Sequence, residues 1–367
     1  MNLKKVIIAP DSFKGSLSAK QVADIIAEEI LAAYPGCEAV KMPIADGGEG
    51  SMDTILSALG GKTHETNVLS PDDREITAAY GIAVNGTAII EMAQSSGLTK
   101  QNGLHPMTAS TYGLGQLISA ALATGAREYI LCIGGSATTD GGCGMAAALG
   151  VHFTDSSKNR FNPCGGTLVD IASIDLSGLD TRIKESRFTV MCDVDNPLYG
   201  PNGAAYIYGP QKGADPVQVS ALDDGLRHLG SVLIDCLGVD YANTPGAGAA
   251  GGLGAGCMAF LDAKLMSGSE AILGLCGYKE HLTDADLVIT GEGKLDSQSF
   301  SGKVLSGILH DAGNVPVWSV CGICECDEEL LHKHNLRVFE ISKGISIEES
   351  MTDTEKYLRI AMKTAVS

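Results

Sequence analysis

The run Val6-Ile7-Ile8-Ala9-Pro10-Asp11-Ser12-Phe13-Lys14-Gly15-Ser16 sets the fold class. Four apolar residues closed by a proline read as a buried parallel strand. Ser18-Ala19-Lys20-Gln21 then spells a capping box that opens a helix with Val22, Ile25, Ile26 and Ile30 on one face. A second strand near Ala39-Val40, the loop Ala45-Asp46-Gly47-Gly48-Glu49-Gly50 and a helix over 52–59 repeat the pattern. Strand, loop and helix twice over predict an α/β protein with a doubly wound parallel sheet. Its ligands would gather at the carboxyl ends of the strands, where Asp11 and Asp46 fall.

Past Gly61 the pattern changes. Val84-Asn85-Gly86-Thr87 joins two β-rich runs, and Asn-Gly in that setting predicts an antiparallel hairpin. Such a hairpin does not belong inside a doubly wound parallel sheet, so a second, mixed-sheet α/β domain is expected from here. It would hold the strands Tyr129-Ile130-Leu131-Cys132-Ile133 and Phe188-Thr189-Val190-Met191-Cys192, and a helix over 216–236. It would also hold the glycine tract 246–256, which reads as close approach of a helix or ligand because Cys257-Met258-Ala259-Phe260 beside it is apolar. Parallel alternation resumes at Ala285-Asp286-Leu287-Val288-Ile289-Thr290 and continues through a helix over 302–312 and a strand over 315–320. The expected arrangement is one domain made of both chain ends, 1–70 and 284–367, with the other, 71–283, inserted.

Glycine makes up 46 of 367 residues, about one in eight against a usual ~7%. These glycines cluster in loops after apolar runs, which argues for sites lined by backbone. Lys+Arg 26 against Asp+Glu 44 leaves −18, so neither nucleic acid nor an anionic membrane is expected as a partner. Eleven cysteines without framework spacing suit a reducing cytoplasm. Cys321-Gly322-Ile323-Cys324 lacks a second half to complete a zinc site and reads as a loop with incidental thiols. The chain enters a strand pattern at once, with no signal-peptide pattern and no membrane-length apolar run, so a soluble cytoplasmic protein is expected.

Three loops pair carboxylates with glycines: Asp46-Gly47-Gly48-Glu49, Asp140-Gly141-Gly142 and Glu292-Gly293-Lys294-Leu295-Asp296. Singly, each carboxylate is better read as a helix cap or turn residue. Together they suit Mg²⁺-bound phosphates, because the metal takes carboxylate oxygens while N–H groups and lysines meet phosphate oxygens. The loop Ile133-Gly134-Gly135-Ser136-Ala137-Thr138-Thr139-Asp140 can aim backbone donors at an anion, and the following helix would add its dipole. Ser301-Gly302-Lys303-Val304 resembles the end of a P-loop, but Ser297 and Val304 occupy the required Gly and Ser/Thr positions, which excludes a Walker-type NTPase. Lys303 at a helix start can still reach an anion, and Lys14, Lys212 and Lys294 sit in similar glycine-flanked loops. No HExxH, no GxSxG and no GxGxxG after the first strand appear, which disfavours zinc or serine hydrolases and dinucleotide oxidoreductases.

The motifs Pro10-Asp11-Ser12-Phe13-Lys14-Gly15-Ser16-Leu17-Ser18, Ala45-Asp46-Gly47-Gly48-Glu49-Gly50, Gly134-Gly135-Ser136-Ala137-Thr138 with Asp140-Gly141-Gly142, Gly209-Pro210-Gln211-Lys212-Gly213-Ala214, and Gly291-Glu292-Gly293 through Gly302-Lys303 together resemble the bacterial glycerate kinase family. The likeness runs in order over about 6–322. Lys294 stands where arginine is commoner, and Ser299 where threonine is. The resemblance implies a flavodoxin-like domain with a second α/β domain inserted and a substrate cleft between them. It implies transfer of the ATP γ-phosphoryl group to D-glycerate, with 2-phosphoglycerate as product. A kinase giving 3-phosphoglycerate or acting on another small hydroxy acid, and a non-catalytic nucleotide- or metabolite-binding protein, stay open as alternatives. On this reading Mg²⁺ draws on Asp193, Glu292 and Asp296, and Gly134, Gly135 and Ser136 cradle phosphate beside Asp140. Ser12 and Lys14 hold the glycerate carboxylate, with Lys294 as a further candidate. Asp46 or Asp11 accepts the hydroxyl proton, and Lys303 or Lys212 neutralises the transferred group. The sequence leaves the oligomeric state open.

Overall fold

A computed structural model describes the whole chain except Met1, Asn2, Lys14, Asp46, Gln298, Ser301, Gly302 and Ser367, and the side chain of Lys303. The chain divides into two compact units. The first comprises Met1–Ala45, Ser57–Leu59 and Ser267–Ser367, the second Asp46–Leu56 and Gly60–Met266.

The first unit is built on a five-stranded sheet in the order Leu336–Glu340, Val317–Cys324, Leu287–Leu295, Lys5–Pro10, Glu38–Lys41, with every pair parallel. Counted along the chain within this unit the order is 2-1-3-4-5, the flavodoxin-like arrangement. Lys5–Pro10 is buried along its whole length, as its apolar run requires. The helix Ala19–Ala33 starts at the expected capping box, with Ser18 accepting from the Gln21 amide. Its residues Val22, Ile25, Ile26 and Ile30 join Val6, Ile8, Leu287 and Ile289 in one core. In such a sheet the connections leave in opposite directions from the first and third strands, and a crevice opens at their carboxyl ends. Asp11 and Glu292 stand there, tied by Asp11 N donating to Gly291 O at 2.8 Å.

The second unit carries a six-stranded mixed sheet in the order Lys264–Met266, Arg187–Met191, Glu128–Cys132, Ala88–Glu91, Glu75–Ala83, Gly61–Leu69. The first four run parallel, and the last two add antiparallel strands. The Asn85-Gly86 turn joins the expected hairpin, with Gly86 at φ +86°. A small antiparallel sheet of Arg160–Phe161, His152–Thr154 and Ser173–Asp175 completes this unit.

Several sequence readings shift. The strand Gly61–Leu69, assigned above to the domain of the chain ends, pairs with Glu75–Ala83 and belongs to the mixed sheet. It is largely exposed, so it lacks the apolar run that would have announced it. The start of the helix Ser51–Leu59 also goes with the second unit, where the Met52 amide donates to the buried Glu91 carboxylate at 2.6 Å. Gly268–Leu275 falls in the first unit, which moves the later boundary from 284 to 267. Cys321 and Cys324 lie in the strand Val317–Cys324 rather than in a loop, and Cys321 is paired in register with Glu292. The glycine tract packs the helix Ala249–Leu261 onto the 134–142 loop. A Cβ on Gly251 would stand 2.0 Å from the Thr138 carbonyl oxygen, and one on Gly256 2.3 Å from that of Gly141. Among the described residues no helix is long and apolar enough to cross a membrane.

Candidate active site

In the second unit, the 134–142 loop leaves the strand Glu128–Cys132 and is pinned on both sides. Gly134 N donates to Gly47 O at 2.8 Å, Leu98 N to Gly135 O at 3.0 Å and Ala137 N to Ser96 O at 2.9 Å. Gly134 is a glycine because a Cβ there would meet Gly48 Cα at 2.7 Å. Two of the three carboxylate–glycine loops therefore abut. The amide of Gly134, expected in a phosphate cradle, is already spent on Gly47; Gly135 is the exposed tip, and Ser136 beside it is buried.

Asp140 is wholly buried. Its carboxylate accepts from Thr111 N at 2.7 Å, Thr111 Oγ1 at 2.8 Å, Gly142 N at 3.2 Å and Gly144 N at 3.3 Å. Burial pushes its pKa up, against these hydrogen bonds. Asp140 thus builds the loop from inside and has no surface to offer a cofactor, contrary to the sequence reading. The helix after the loop, Cys143–Ala148, has only six residues, so the dipole support expected there is slight. Lys212 is also corrected. It is 1% exposed, and its Nζ donates to Thr138 O at 2.6 Å. Burial lowers its pKa to about 7, with the Asp140 charge opposing. Its ammonium is turned onto the loop's own backbone rather than outward to a transferred phosphate.

In the first unit the carboxylates face open space. Asp11, at the end of Lys5–Pro10, accepts from Ser12 N at 2.6 Å. Half-buried Glu292 accepts from Ser299 Oγ at 2.9 Å, and the same hydroxyl accepts from Asp296 N at 3.2 Å, so Ser299 closes this loop on itself. Burial, then the neighbouring Asp11 and Asp296 charges, push the Glu292 carboxyl up to about 7. Lys294 is exposed, 2.8 Å from Glu325 and 3.5 Å from Asp296. Its charge is engaged by these surface carboxylates, which raise its pKa and compete with the substrate clamp expected of it.

Asp11, Ser12, Glu292 and Lys294 line one part of a cavity of about 440 Å³ lying wholly within this unit. The rest of its lining includes Phe13, Ile323, Ile341, Ile347 and Met351. These apolar residues were missed from sequence. The available signal was Ser346-Ile347-Glu348-Glu349, whose Ser346 Oγ accepts from the Glu349 amide at 3.1 Å and starts the helix Ile347–Thr352, with Ile347 and Met351 one turn apart.

Asp193 is exposed just beyond the strand Arg187–Met191 of the second unit. Lys14, Asp46 and the side chain of Lys303 lie outside the described residues. Among the described residues no three His, Cys, Asp or Glu side chains gather into a metal cage. Mg²⁺ on a nucleotide needs only one or two protein carboxylates, the rest being phosphate oxygens and water. Glu292 and Asp296 fit that demand, because burial, then the Asp11 and Asp296 charges, disfavours the Glu292 carboxylate and a divalent cation would offset all three.

Comparison with known proteins agrees over the whole chain. A family model described as the glycerate kinase family matches residues 6–367. The chain is 41% identical to a glycerate kinase of Bacillus subtilis (strain 168), covering 99% of this chain and 97% of that one. It is 43% identical to a glycerate 2-kinase of Escherichia coli (strain K12), covering 93% and 91%. A crystal structure assigned to glycerate kinase 2 of Salmonella typhimurium LT2 superposes with a TM-score of 0.87 at 37% identity, covering 100% of this chain and 98% of that one.

Proposed function

The chain belongs to the glycerate kinase family, and from that premise we propose that it transfers the γ-phosphoryl group of ATP to D-glycerate, with Mg²⁺, giving 2-phosphoglycerate. The observation that carries this reading is the set of carboxylates, Asp11, Glu292 and Asp296, at the strand ends of the flavodoxin-like sheet, two of them lining a cavity. When bound there, Mg²⁺ would supply positive charge that offsets the charge on the group in transfer.

The chain's own residues position and stabilise. Glu292 and Asp296 would hold the cation. The backbone at the exposed tip, Gly135 with the buried Ser136 beside it, meets phosphate oxygens, and the rigid pinning of that loop lets it do so without reorganising. Asp11 or Asp46 orients the attacking hydroxyl and accepts its proton, and Lys303 offers the compensating positive charge. Cytoplasmic residence belongs to the same proposal, and all eleven cysteines being free is consistent with it.

The test is a coupled assay with D-glycerate, ATP and Mg²⁺, read through enolase. Signal with enolase alone is the expected result, and a chelator should abolish it. Signal only after phosphoglycerate mutase is added would make 3-phosphoglycerate the product, and an absence of ADP release would leave a non-catalytic binding protein.

A further inference from the structure

The cavity of the first unit has two chemistries. Phe13 and Ile341 in its lining are buried, while Ile347 and Met351 stand 54% and 49% exposed. Two hydroxyls on the same side, Ser350 and Thr354, are turned to their own helical backbone: Ser350 Oγ donates to Ile347 O, and Thr354 Oγ1 to Ser350 O, both at 2.8 Å. That side therefore offers a ligand almost no polar partner. The remaining lining carries Asp11, Ser12 and Glu292 at the strand ends, and Lys294, whose ammonium is taken up by Glu325 and Asp296.

Glycerate does not suit this lining. It is a small anion with no apolar face, so the isoleucines and Met351 would stay wet, and its carboxylate would meet like charge at Asp11 and Glu292. The triphosphate of a nucleotide meets the same repulsion unless a cation stands between. A nucleoside fits both halves. Its flat base covers apolar side chains, its ribose hydroxyls donate to carboxylates, and a volume of about 440 Å³ lies in the usual range for ligands of that size. The position agrees as well, since flavodoxin-like sheets bind nucleotide-type ligands at this switch point.

We propose that this cavity seats the nucleoside end of the phosphoryl donor, with the base against Phe13, Ile341, Ile347 and Met351 and the ribose toward Asp11 and Ser12. This rests on the kinase reading above and deepens it. It takes the glycerate carboxylate away from Ser12 and Lys294, and it leaves the proton of the attacking hydroxyl to Asp46 rather than Asp11.

The experiment uses the full chain and two variants, Ile347→Asp and Met351→Ser, whose exposure makes loss of folding avoidable and checkable by thermal melting. ADP binding is measured by calorimetry with Mg²⁺ present and glycerate absent, and KM is measured for each substrate. The expected result is about a tenfold weaker ADP Kd and a raised KM for ATP in both variants, with KM for D-glycerate unchanged within about twofold. Adenosine alone should inhibit competitively against ATP. A rise in KM for glycerate alone would give the cavity to the acid and overturn the proposal, as would two variants that bind ADP like the wild type. Should the wild type show no turnover, the kinase reading fails, yet ADP calorimetry still decides the cavity: binding weakened by both variants upholds it, and no ADP binding by the wild type removes it.

Discussion

The loops 134–142 and 291–296 carry the same signature, a carboxylate beside glycines after a parallel strand, and put it to opposite uses. In the first, Asp140 is sealed inside and its oxygens are taken by Thr111, Gly142 and Gly144. In the second, Glu292 faces a cavity, takes one hydroxyl from Ser299 and is crowded by other carboxylates. Burial with matched donors makes a carboxylate part of the frame. Burial beside like charges leaves it ready for a cation.

The sharpest break of this comparison is at Asp140. Asp140→Ala leaves Thr111 and two loop amides buried without an acceptor, and should destabilise the second unit by about 3–5 kcal/mol. Asp140→Asn should do little better, because its amide presents donors where donors already point. Chemical denaturation reads the effect, and a variant with near wild-type stability would show that Asp140 is not part of the frame. Glu292→Gln is the counterpart: turnover down about 100-fold with an unmoved melting midpoint. If instead melting falls and turnover persists, the two loops have been assigned the wrong way round.

A smaller effect tests how the frame is assembled. At Gly134, a Cβ would sit 2.7 Å from Gly48 Cα and 2.9 Å from Gly47 O, both backbone atoms that cannot swing aside. Gly134→Ala should cost about 1–3 kcal/mol and loosen the exposed tip, raising KM for ATP. The control is Gly307, inside the helix Lys303–Ala312 with nothing within 4 Å of its added Cβ. There alanine should be neutral or stabilise by up to about 1 kcal/mol.

The sequence made the parallel sheet legible because its strands are continuous apolar runs, and the hairpin because Asn85-Gly86 allows few alternatives. The edge strand Gly61–Leu69 was not legible: exposed positions carry no burial pattern, so its partner, not its composition, decides where it belongs. The same limit applied to the site. Glycines and carboxylates announced three loops, but the direction each side chain faces depends on neighbours distant in the chain, Thr111 for Asp140 and Thr138 for Lys212. The apolar part of the cavity came from a helix near the end of the chain whose Ile347 and Met351 look like ordinary surface residues until the fold brings them beside Phe13.

Lys212 gives the most specific test, because it asks whether the frame contains a titrating charge. Its ammonium is buried, and burial lowers its pKa to about 7, against about 10.4 in an unfolded chain. Below pH 7 both states hold the proton and its contribution does not vary. Between pH 7 and about 10.4 the unfolded chain binds the proton and the folded one does not, so stability rises with pH, by at most about 1.4 kcal/mol per unit. Above that range the contribution is constant again. Lys212→Met removes the group while keeping much of its bulk, so the wild type should gain on the variant as pH rises from 7 to 10 in urea denaturation. Titrations of groups that do not interact with Lys212 cancel in that difference. A flat difference would mean that the ammonium stays charged throughout, held by Asp140 and the Thr138 carbonyl. The 134–142 loop would then be braced by a permanent buried charge, where the 291–296 loop keeps its own ammonium, Lys294, exposed.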